Sequence, residues 1–126
     1  MIPQTIRPVG PRAVRPYLAQ TQPDALRRAL AVSAQAVGAV RSALPYDVSQ
    51  LRRDGGYCVT IQYSESRQAV TEFAQAHGAE VSVAPIESRA GWSAIDARTH
   101  INGVPVHAWT EIPTPVEGAE TIGADR

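Results

Sequence analysis

THINGVPVHAWTEIP, residues 99–113, sets an Asn-Gly pair between two stretches in which apolar and polar side chains alternate. Asn-Gly supplies the two positive-φ positions of a type I′ turn, so the segment predicts a β-hairpin closed by a two-residue loop. Such a loop fixes the register. Ile101 faces Val104, His100 faces Pro105, Thr99 faces Val106, Arg98 faces His107, Asp96 faces Trp109 and Ala94 faces Glu111. Alternation then sorts the side chains onto two sides. Ile95, Ala97, Thr99, Ile101, Val104, Val106, Ala108, Thr110 and Ile112 form a core side, and Trp92, Asp96, Arg98, His100, Pro105, His107, Trp109 and Glu111 form the other. In this register Pro105 lies in a non-hydrogen-bonded pair, with its missing N–H directed away from the partner strand. That predicts an edge position for 104–112.

Upstream, YCVTIQY (57–63) alternates with Tyr57, Val59, Ile61 and Tyr63 on one face and reads as a strand. SESRQAVTEFAQAHG (64–78) reads as a helix, with Ser64 as its cap, Gly78 as its stop, and Val70, Phe73, Ala74 and His77 on its buried side. AEVSVAPI (79–86) is a second strand with Val81 and Val83 facing in, and ESRAG is a loop. Residues 45–53 read either as a short turn of helix capped by Asp47 or as irregular chain. Before them, Pro23 suits a first helical turn and Pro45 a stop, which predicts a helix over 23–44. Its stripe is Leu26, Leu30, Ser33, Val37, Val40 and Leu44, widened by Val32, Ala36, Ala39 and Ala43 to about half the circumference. One sheet rarely covers so much of a helix, so a second partner is implied.

Residues 1–22 carry Pro3, Pro8, Pro11 and Pro16 and predict an extended Pro/Arg-rich arm. Residues 113–126 have little to bury and predict a mobile acidic tail. Between them, 23–112 reads as a single α+β domain in the order α-β-α-β-β-β. One mainly antiparallel sheet is expected, with helices packed on one face.

The chain has 126 residues and no formal net charge, and all its basic residues are arginine. Residues 1–55 hold eight arginines against three aspartates, and 56–126 hold four arginines against nine acids. Such a dipole bears on association and partner choice, not on fold. Cys58 is the single cysteine, so no intrachain disulfide can form, and the thiol is expected to be buried and inert. No apolar run reaches the ~18 residues of a membrane span. The first residues lack the apolar core of a secretory signal, and a cytoplasmic protein is expected.

Motifs for chemistry are sparse. His77, His100, His107 and Cys58 show no metal-ligand spacing, and no phosphate-cradling glycine loop occurs, so neither metal nor cofactor is expected. Asp96, Arg98, His107 and Glu111 could form an acid–base group, but an open sheet face does not exclude water as a catalytic site requires. No enzymatic activity is therefore expected, and a small-ligand or enzymatic site near His107 is the third reading. An arginine-mediated nucleic-acid contact through Arg7, Arg12, Arg15, Arg27 and Arg28 is the second. The leading expectation is a protein-interaction module, self-associating or serving as an oligomeric accessory or regulatory subunit. Its contacts would come from Arg7, Arg12, Arg15 and Tyr17 of the arm and from Trp92, Arg98, His107, Trp109 and Glu111 of the hairpin, because tryptophan and arginine are enriched at binding hot spots.

Overall fold

The computed structural model describes residues 22–115. Of the expected arm at 1–22 and tail at 113–126, residues 1–21 and 116–126 lie outside the described residues, while Gln22 begins a helix and Pro113 ends a strand. Helix α1 spans Gln22–Gly38, β1 Asp47–Arg53, β2 Gly56–Tyr63, α2 Arg67–His77, β3 Val81–Pro85, β4 Trp92–Ile101 and β5 Val104–Pro113. The order α-β-β-α-β-β-β is α+β, with one strand more than the sequence reading contained.

That extra strand is β1. It pairs antiparallel with β2, from Asp47 opposite Gln62 to Arg53 opposite Gly56, and Asp54-Gly55 forms the two-residue turn between them. Asp54 has φ 44° and Gly55 φ 83°, the pair of left-handed positions such a turn needs. The second hairpin closes in the same way at Asn102 (φ 52°) and Gly103 (φ 77°), and every expected β4–β5 pair is present.

The sheet order is β1-β2-β5-β4-β3. Strand β5 is therefore central, not an edge. It runs antiparallel to β4 and parallel to β2, with Val59 opposite Val106 and Tyr63 opposite Thr110. Pro105 does not block the second ladder because that ladder starts one residue later, at Val106. The true outer strands are β1 and β3, and Pro85 ends the latter. Val83 consequently stays half exposed at the sheet margin, although Val81 packs against the core.

Both helices cover the same side of the sheet. Val59, Ile61, Tyr63, Ile95, Ala97, Val106 and Ala108 meet Ala29, Val32 and Ala36 of α1 and Ala69, Val70, Phe73 and Ala74 of α2. Fully burying a valine, isoleucine or phenylalanine contributes about 1.5–3 kcal/mol apiece, so this layer carries most of the fold's stability. The buried stripe of α1 is Ala29, Val32, Ser33 and Ala36, rotated from the expected one. Small side chains let the helix lie close to the sheet, and the Ser33 hydroxyl donates back to the Ala29 carbonyl (2.8 Å) while accepting from Gln50 of β1 (3.0 Å). Leu30 is 48% exposed instead of buried.

Helix α1 ends at Gly38, six residues before the expected Leu44. Ala39 and Val40 donate to the Ala36 and Val37 carbonyls in a tightened last turn. The next donors leave the helix for α2: Glu72 Oε1 accepts from the Arg41 N–H (2.7 Å), the Ser42 N–H (2.9 Å) and the Ser42 hydroxyl (2.9 Å). These bonds, that of the Ser42 backbone first, hold the Glu72 carboxyl below its usual pKa. Leu44 is off the helix and 87% exposed, so the apolar face of α1 is shorter than the expected one.

Helix α2 is capped by Ser66, not Ser64. Its hydroxyl accepts from the Ala69 N–H (3.1 Å), and Gly78 closes the other end in the left-handed conformation (φ 66°). The shift follows from a buried hydroxyl in β5. Thr110 Oγ1 accepts from the Ser66 N–H (3.2 Å) and donates to the Tyr63 carbonyl (2.6 Å), fixing the end of β2 and the start of α2 together. Beyond Ile112 the chain stays in register: Pro113 completes β5, and Thr114 donates its N–H to the Gly91 carbonyl (2.7 Å).

Candidate functional site

With both helices on one side, the other side of the sheet faces outward among the described residues. Register assembles this open face row by row. Gln62, Trp109 and Asp96 lie side by side across β2, β5 and β4; Thr60, His107 and Arg98 form the next row. Toward the turns, Leu51 of β1 stands opposite Cys58 of β2. Cys58 is thus partly exposed and not buried, because alternation sends it away from Val59 and Ile61.

Trp92, Arg98, His107, Trp109 and Glu111 all reach this face, as the hairpin register requires, but their environments differ. Trp92 is already occupied by its own chain. The Arg89 guanidinium stacks 3.4 Å from the ring centroid and reaches Glu111 at 2.8 Å. Trp109 lies half-buried in the central strand. His107 Nε2 lies 3.0 Å from Asp96 Oδ2, and Arg98 approaches the same carboxylate oxygen at 3.6 Å. Burial lowers the His107 pKa; the Asp96 hydrogen bond opposes that, and the Arg98 charge adds to it. Asp96 is the hydrogen-bond partner of the His107 imidazole among the described residues.

At the end of the face nearest the turns lies a depression of about 420 Å³, with Cys58 and Pro105 on its apolar floor and Arg53, Arg98 and His100 among its polar walls. A neighbouring hollow of about 370 Å³ continues it past both turns to Arg28. The sequence reading missed this feature because it did not pair β1 with β2, and without that hairpin Arg53 has no place. The Asp54-Gly55 dipeptide was the signal that could have supplied it.

Comparison with protein-family models, with curated proteins and with solved structures gives no match.

The remaining expected contacts divide. Arg7, Arg12, Arg15 and Tyr17 lie outside the described residues. Arg27 is paired with Asp24 at 2.9 Å on exposed α1, away from the open face, while Arg28 lines the smaller hollow. Among the described residues no group of three or more His, Cys, Asp or Glu could hold a metal ion, and no helix is long and apolar enough to cross a membrane.

Proposed function

We propose that the chain is a non-enzymatic protein-binding module, either self-associating or acting as an accessory or regulatory subunit in the cytoplasm, with the open sheet face as its contact surface. One observation carries the reading: Trp109 stands in the central strand of a face that no element among the described residues covers, flanked by Gln62 and Asp96 across the strands and by His107 and Glu111 along its own. An aromatic anchor within a polar surround is the anatomy of a binding hot spot, where neighbouring contacts exclude water without contributing much energy themselves. Arg98 and His107 border the anchor, and Arg7, Arg12, Arg15 and Tyr17 of the N-terminal segment belong to the same proposal as a second contact.

The test is light scattering across a concentration series, on the full chain and on Trp109→Ala. A hot-spot tryptophan is worth 2 kcal/mol or more, so truncation should weaken association by about 30-fold while the melting temperature moves by only a few degrees. A large loss of melting temperature with unchanged association would make Trp109 a structural residue and remove the reading. A full chain that stays monomeric at the highest concentration would remove self-association.

A further inference from the structure

The protein-binding reading leaves the turn end of the open face unexplained, and the inference drawn there does not depend on it. Three arginines from three different elements border the two joined hollows: Arg28 of α1, Arg53 of β1 and Arg98 of β4. Asp54 is the one carboxylate in the lining. Arg28 and Arg53 make no hydrogen bond or ion pair among the described residues, and the single ion pair of Arg98 is long, at 3.6 Å, with its side chain 72% exposed. His100 and the Thr60 hydroxyl are likewise without partners among the described residues and face the same space. Guanidinium groups that are unpaired at Arg28 and Arg53 among the described residues, and held only by a long ion pair at Arg98, offer forked donors to an anion beside the Cys58–Pro105 floor. The larger hollow falls within the volumes that hold small ligands.

We propose that this end of the sheet is a binding site for a small molecule bearing an oxyanion, a phosphate or a carboxylate, gripped between Arg53 and Arg98 over the Cys58–Pro105 floor. Arg28 extends the cationic rim for a second anionic group on the same ligand. Among the described residues Asp54 at the turn lines the hollow, Asp96 is bonded to His107 and near Arg98, and Asp24 lies one helical turn before Arg28, so these acids oppose binding. A bound anion would also favour the charged form of His107, opposing the burial that now lowers its pKa.

The experiment is a titration of the ¹⁵N-labelled full chain with sodium phosphate and, separately, with succinate, at constant ionic strength. Saturable shifts are expected at the amides of Cys58, Thr60, Arg98 and His107, with Arg27 and α2 still. Saturation by phosphate alone or by succinate alone identifies the ligand's anionic group, and saturation by both supports recognition of the shared oxyanion. The double variant Arg53→Gln/Arg98→Gln should weaken binding at least tenfold, whereas Arg27→Gln should leave it unchanged. Both exposed positions tolerate glutamine, and an otherwise unaltered spectrum verifies the fold. Shifts that rise without saturation, or that persist in the double variant, would overturn the proposal.

Discussion

Thr110 offers the sharpest test of how this sheet is held together. Its side chain is fully buried, yet its hydroxyl joins three elements by accepting from the Ser66 N–H and donating to the Tyr63 carbonyl. Thr110→Val keeps the shape and removes both bonds. Each bond contributes about 1 kcal/mol net, and a buried backbone group left unpaired costs about 1–3 kcal/mol. The added methyl returns about 0.8 kcal/mol. The expected loss is therefore about 2–3 kcal/mol. For a domain of this size that lowers the melting temperature by roughly 10–20 °C. Thr110→Ser keeps the hydroxyl and gives up one methyl, for which about 1 kcal/mol is expected. Urea unfolding of both variants decides the matter: valine must be the worse substitution. If serine proves as harmful as valine or more so, Thr110 acts by packing, and the account of the Ser66 cap fails with it.

Two further outcomes concern titration. Because the folded chain holds the His107 pKa below the ordinary value of 6.5, the unfolded chain takes up that proton first, and stability falls as pH drops through 6.5. His107→Gln, which can still donate to Asp96, should flatten that part of the stability–pH curve, and an unchanged slope would assign it elsewhere. The lowered Glu72 pKa acts in the same sense over a more acidic window: its contribution is present above the ordinary carboxylate range and is lost as pH falls through the folded value. Hydrogen exchange at the Arg41 and Ser42 amides should therefore quicken in Glu72→Ala at neutral pH, and equal protection in both proteins would show that the carboxylate does not hold the loop.

Much of this architecture is legible in the residues, and its gaps have physical causes. Asn102-Gly103 fixed the β4–β5 register because only a tight turn suits that dipeptide, and the division into two faces followed. Strand β1 escaped because DVSQLRR is polar and half exposed at an outer position, so alternation was faint; Asp54-Gly55 was the stronger clue. Pro105 misled because a missing N–H bars pairing only at its own position, and the parallel ladder begins beside it. The end of α1 depends on Glu72 from another helix, which no local pattern contains. The same holds for the candidate site. The Trp109 face could be read from the hairpin, but the arginine-lined hollow requires β1, β4 and α1 to meet in space.

The seam between β2 and β5 governs how the molecule can assemble. Each hairpin closes over two residues, a step completed within microseconds. The seam must bring Val59 to Val106 across α2, β3 and β4, so its closure entropy is spent before its contacts form. Two early hairpin units and a late docking step are the consequence. Weakening the seam at Val59 or Val106 should slow refolding, and so should weakening β1, whose hairpin is already in place when the seam docks.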